Sequence, residues 1–152
     1  MENPVGAEVG MTQLVRRSDW RARFEATVDE IKATPFEWGV HDCGPSFAGR
    51  LVLAVTGVDL AAQYAGSYSN EAEALAIIHD AGFSTLGEMV ASMLPAIHPS
   101  QARIGDVAAI AIDKPIGHAL GVVNGERILV LMPSGGVGTV ALTKASMAFK
   151  VG

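Results

Sequence analysis

Cys43 is the only cysteine in the chain, so its sulfur acts as a lone thiol, and neither an internal disulfide nor a zinc site built on paired cysteines can form. Asp42 and Gly44 flank it where an irregular segment passes into an apolar helical pattern. Unpaired backbone N–H groups and the helix dipole at such a start favour a thiolate over a thiol. The thiolate is the nucleophilic form, and Gly44 leaves room for a substrate beside the sulfur. A buried structural cysteine is the plain alternative. A nucleophile of this kind also needs a base within hydrogen-bond reach, and four histidines are available. His79 lies near the end of an expected helix and His98 in a loop between two prolines, so neither has a reason to meet Cys43. His41 is close by necessity, two residues away, and is held as a substrate-side or structural residue. His118 follows Gly117 and opens an apolar run, which places an imidazole at the mouth of a sheet where it can meet the start of a packed helix. Cys43 and His118 are therefore the candidate nucleophile and general base. A histidine satisfied at a strand end is the bland reading of His118.

The elements that must position this pair can be read from the spacing of apolar residues. Trp20, Phe24, Val28 and Ile31 recur at helical intervals after Ser18-Asp19, and Pro35 closes that helix. A second, largely buried helix is expected over Cys43 to Thr56, ended by Gly57. Ser69 reads as the N-cap of a third helix running to about Ala81, with Glu71 and Glu73 in its first turn. A shorter helix over Ser84 to Leu94 precedes a loop imposed by Pro95 and Pro99. Beyond Gly105 the residues become β-formers, in five runs over 107–112, 119–123, 128–132, 137–142 and 147–151. Helices first and strands afterwards mark an α+β domain with an antiparallel sheet of about five strands. Asn124-Gly125 between apolar runs is a hairpin signal. If those two are the loop residues, His118 stands opposite Leu131. Trp20 and Phe24 have core spacing, Tyr64 and Tyr68 are placed to line a groove or pack a loop, and Asp106 is open between a strand-capping and a catalytic role.

The whole-chain numbers limit the function classes. At 152 residues the chain suits one domain, large enough to hold a core without a disulfide or metal. We expect residues 1–17, with Gly6 and Gly10, to form a flexible arm, and 18–152 the domain. Eleven Lys and Arg against sixteen Asp and Glu leave a charge of −5, so no basic surface is offered to nucleic acid. No apolar run reaches the ~18 residues needed to cross a bilayer, and no secretory signal is visible. No metal or cofactor is expected.

Four ordered motifs carry a resemblance. Pro35-Phe36-Glu37-Trp38-Gly39, His41-Asp42-Cys43-Gly44, Gly105-Asp106-Val107 and Gly117-His118-Ala119-Leu120-Gly121-Val122-Val123 resemble the NlpC-type cell-wall cysteine peptidases. The closer likeness is to their small branch in tailed phages, prophages and gene transfer agents, over about Ser18 to Val151. The resemblance implies a papain-like fold, Cys43 as nucleophile, His118 as general base, and cleavage of an amide bond in the peptide stem of peptidoglycan. It makes Phe36, Trp38, His41, Asp42 and Gly44 candidates for holding substrate or the oxyanion. Familiar members carry Tyr where this chain has Phe36, so one hydroxyl is absent. They also place a polar residue after the histidine to fix its tautomer, a role that falls here to Ser134, a backbone carbonyl or a water.

A wall substrate with no visible export signal leads to the expectation of a peptidase carried in a phage-like particle. It would assemble in the cytoplasm with tail hub or tip proteins and act in the periplasm or cell wall of the target cell. A structural tail-tip component of the same fold with little or no turnover is the alternative, supported by the missing orienter. A cytosolic thiol transferase or amidase of this fold is a third reading.

Overall fold

The computed structural model describes residues 14–34, 42, 47–64, 66–132 and 136–152. Four α-helices come first, α1 (Trp20–Lys32), α2 (Gly49–Thr56), α3 (Glu71–Asp80) and α4 (Leu86–Ala91). Six strands follow: β1 (Ala96–Ile97), β2 (Val107–Ala111), β3 (His118–Asn124), β4 (Arg127–Leu131), β5 (Val137–Ala141) and β6 (Ala145–Phe149). They form one antiparallel sheet in the order β1-β6-β2-β3-β4-β5. The molecule is thus an α+β protein, with six strands where five were expected. The extra strand is the two-residue β1, in the stretch read as a loop between Pro95 and Pro99. Its pairing with β6 is a long-range event that a dipeptide has no periodicity to announce.

Period-two alternation decides which sheet face meets the helices. Val107 and Ala109 of β2, Leu120 and Val122 of β3, and Leu129 and Leu131 of β4 join the main core. Against them pack Phe24, Val28 and Ile31 of α1, spaced four and three apart, and Leu51, Val52 and Val55 of α2. Ala108, Val123 and Ile128, the alternate residues, form a separate cluster. His118 has the parity of Leu120 and Val122, so the same rule puts it on the helix side.

Several boundaries differ from the sequence reading, each for a local reason. The side chain of Asn70, not Ser69, caps α3 by accepting from the Glu73 N–H at 2.8 Å, while Glu73 Oε1 accepts from the Ser69 N–H and hydroxyl. That reciprocal box accounts for both polar residues. Thr85 caps α4 in the same manner, and the helix is shorter than expected. Of the helix expected over Cys43 to Thr56, the regular part starts at Gly49; the Phe47 N–H reaches the Asp42 carbonyl at 2.7 Å, a wide i to i+5 turn. Cys43 to Ser46 lie outside the described residues.

The hairpin between β3 and β4 also corrects an expectation. Asn124 pairs with Arg127, so the loop residues are Gly125 and Glu126 rather than Asn124 and Gly125. Gly125 takes a φ of 73°, the left-handed backbone that the first loop position of a II′ turn demands. The register therefore moves by two residues. Val123 faces Ile128, and His118 is not opposite Leu131: it extends past the β3–β4 ladder and pairs on its other side with Ala111.

Leu14–Arg17 are fixed in place, against the expectation of a flexible arm through 17; residues 1–13 lie outside the described residues. Arg16 donates to the carbonyls of Val151 at 2.8 Å and Ile104 at 2.7 Å, and to Asp106 Oδ1 at 3.0 Å. Its guanidinium also stacks 4.4 Å from the Trp20 ring. Asp106 is 1% exposed and accepts further bonds from the Val151 and Arg103 N–H groups, both at 2.9 Å. Its role is therefore structural. Burial, and after it the nearby Arg103, push the Arg16 guanidinium below its ordinary pKa, while Asp106 works the other way. Replacing Asp106 with Ala is expected to cost about 3–5 kcal/mol in urea unfolding, because it strands a buried cation. Breaking the exposed Arg23–Asp19 pair by Arg23→Ala is expected to cost about 0.5 kcal/mol or less.

Candidate functional site

The site is a cavity of about 270 Å³ between the helices and the sheet. Most of its wall is aliphatic, with Val52, Leu60, Ile78, Met89, Met93 and Leu120 among the lining side chains. Among the described residues the polar or charged side chains on that wall are few: Asp42, Tyr64, Tyr68, Glu71, Lys114 and His118. Lys114 and Glu71 pair with each other at 3.7 Å, joining the β2–β3 connection to the start of α3.

Asp42 is 1% exposed. Its Oδ2 accepts the Tyr68 hydroxyl at 2.7 Å, and its carbonyl accepts the Phe47 N–H, so both ends of this residue are tied at the entrance to α2. Tyr64 and Tyr68 thus line the cavity, and Tyr68 also anchors the residue before Cys43. Phe36, Trp38, His41, Cys43, Gly44 and Ser134 lie outside the described residues. The structure brings Asp42 and His118, from opposite halves of the chain, to one cavity.

The first turn of α4 is what holds His118. The orphan amides at a helix start need acceptors, and here each finds one. The Leu86 N–H bonds the Ile116 carbonyl at 3.0 Å, the Gly87 N–H bonds His118 Nδ1 at 3.2 Å, and the Glu88 N–H bonds Thr85 Oγ1 at 3.2 Å. An amide donates only to a nitrogen with a lone pair, so Nδ1 is bare and the neutral ring carries its hydrogen on Nε2. A backbone amide, not a side chain after the histidine, sets the tautomer, and it selects the form opposite to one that an accepting orienter on Nδ1 would select.

Two glycines make this contact possible. A Cβ on Gly87 would fall 2.7 Å from both His118 Nδ1 and Met147 Sδ. Gly117, at a φ of 86°, turns the chain into β3 where a Cβ would lie 2.6 Å from Thr85 Cγ2. Gly87 was missed from sequence. Its signal is a glycine inside a helical pattern, a choice costing about 1 kcal/mol against Ala and therefore pointing to a close approach. His98 bonds Ser100 through Nδ1 and caps a short 3-10 turn, and His79 ends α3; neither is at the cavity. Among the described residues no group of three or more His, Cys, Asp or Glu can hold a metal ion, and no helix is long and apolar enough to cross a membrane.

Fold and cavity together define an α+β protein with a mostly aliphatic chamber that has His118, at a strand end, on its wall. The chain belongs to the family described as a domain of unknown function, DUF6950, whose model matches residues 15–151. No curated protein matches it. The match takes in the Arg16 anchor, all four helices and the whole sheet.

Gly87→Ala tests the α4 contact. The added methyl is expected to destabilise the protein by about 1–3 kcal/mol, although Ala is the better helix former, and to shift the His118 ring resonances in NMR spectra. A neutral or stabilising result would show that α4 does not press on the ring.

Proposed function

We propose that the protein is a papain-like cysteine hydrolase of amide bonds, with Cys43 as nucleophile and His118 as its proton-transfer partner. The peptide stem of peptidoglycan is the proposed substrate, cut by a protein carried at the tip of a phage-like tail. The observation that supports this most is the meeting of Asp42 and His118 at one cavity, since Cys43 is one peptide unit from Asp42, ~3.8 Å between Cα atoms. In this reading Cys43 gives its thiol proton to His118, the thiolate attacks the carbonyl carbon, and the imidazolium hands that proton to the departing amine. Water, losing a proton to the ring as it attacks, then releases the acyl group as the acid, and the proton returns to sulfur. The motif likeness supports the wall substrate and the tail location.

The Gly87 contact favours a second reading, a structural tail-tip component with weak turnover. For Nε2 to take the thiol proton, the ring hydrogen must move to Nδ1, where it meets the Gly87 N–H head-on. A histidine held this way is a better donor than base.

Purified peptidoglycan distinguishes the two. Under the hydrolase reading the parent protein releases stem-peptide amines, Cys43→Ala releases none, and His118→Ala is slower by about 10²–10⁴. Alkylation of Cys43 is expected to titrate below the free-thiol value of about 8.5. Equal amine release by the parent and Cys43→Ala removes the hydrolase reading.

A further inference from the structure

The cavity wall and the His118 tautomer together name the chemistry of what enters. Burying a charged group without a partner is far more costly than burying hydrocarbon. Among the described lining residues the one fixed cation is Lys114, which is already turned to Glu71 at 3.7 Å. The Asp42 carboxylate is held by Tyr68 at 2.7 Å. The rest of the wall is dominated by Val, Leu, Ile and Met side chains that reward an aliphatic guest. At about 270 Å³ the chamber has clearly more room than the roughly 150 Å³ that admits a benzene ring. Among the described lining residues the one histidine is His118, with its Nδ1 taken by Gly87, so the ring atom left to meet a guest is Nε2, bearing a hydrogen. A guest that suits such a wall has an uncharged aliphatic body and an oxygen that accepts one hydrogen bond.

We infer that this cavity binds the uncharged aliphatic acyl part of its ligand, with the acyl oxygen accepting from His118 Nε2–H. Gly87 is then a positioning residue, acting through the ring it holds. As a substrate class this rests on the hydrolase reading; as a binding site it does not require turnover. Charged portions of a longer substrate stay outside the chamber.

The test uses the full chain carrying Cys43→Ala, so that binding is read without hydrolysis, with octanamide as probe and acetamide and octanoate as comparisons. Octanamide is expected to bind saturably in calorimetry and to shift the His118 Nε2–H proton. Acetamide, which lacks the tail, and octanoate, which would bury a charge, bind at least about tenfold more weakly. Ala61→Trp, which fills the chamber from a partly exposed position, weakens octanamide by about tenfold or more while circular dichroism shows the fold retained. A second readout needs no core variant: long-range proton–nitrogen NMR of the parent shows the hydrogen on Nε2 and Nδ1 bare. Octanoate or acetamide binding as well as octanamide, no octanamide binding, binding unchanged in a folded Ala61→Trp, or a ring hydrogen found on Nδ1 each overturns the inference. Octanamide binding without any Cys43-dependent hydrolysis of peptidoglycan keeps the site and removes the hydrolase reading alone.

Discussion

A carboxylate taken out of water has to be matched bond for bond, and the start of the sheet is built around that requirement at Asp106. Its two oxygens accept from Arg16, Val151 and Arg103, so two distant stretches of chain, one near each end, converge on the 103–106 turn. Desolvation offsets much of what the ion pair gains, so the arrangement specifies more than it stabilises. What it specifies is a starting point for the central strands. The Gly105 N–H reaches the Val123 carbonyl and the Val123 N–H reaches the Asp106 carbonyl, so the register of β2 against β3 is set at this corner. From there the ladder runs without interruption to Ala111 and His118. The position of the histidine is thus determined at the opposite end of its strand.

The second constraint acts where that ladder ends. His118 lies beyond the β3–β4 pairing, and the first turn of α4 meets its ring through the Gly87 N–H. A helix of six residues has little stability of its own; its start is completed by Ile116, His118 and Thr85. Helix and strand end are mutually dependent, and the absence of a Cβ at Gly87 and Gly117 lets them approach. The same contact that positions the imidazole also commits its lone pair. This couples fold to chemistry more tightly than an orienting side chain would, because a backbone amide cannot rotate away to let the ring change tautomer.

Much of the architecture was legible in the residues. The helical spacing of Phe24, Val28 and Ile31, the acidic first turn of α3 and the β-rich composition after Gly105 are local signals, and each became the element it announced. The candidate pair was legible only in part. His118 stands at a strand end facing the helices, as its parity with Leu120 and Val122 requires, whereas Cys43 lies outside the described residues. The hairpin register was misread because Asn-Gly is only a preference. Gly125 satisfies either placement of the loop, and a slip of two residues leaves every side chain on its own face, so alternation could not decide between them. In the structure Gly125 has a positive φ and Asn124 does not, as a loop that begins at Gly125 requires. Leu14–Arg17 were misread because nothing in four residues shows that an arginine will meet a carboxylate ninety positions away.

The sequence by itself determined the class of the fold, the side of the sheet that each strand residue takes, and the one cysteine that any thiol chemistry must use. These follow from periods of two and of three to four, which a chain carries in every short window. Only the tertiary structure decided the strand order, the anchoring of Arg16 on Asp106, and the approach of α4 that leaves the hydrogen of His118 on Nε2. Those depend on contacts between segments whose separation in the chain says nothing about their separation in space, and they are settled by which packing buries the apolar faces while giving partners to the Asp106 carboxylate and the first amides of α4.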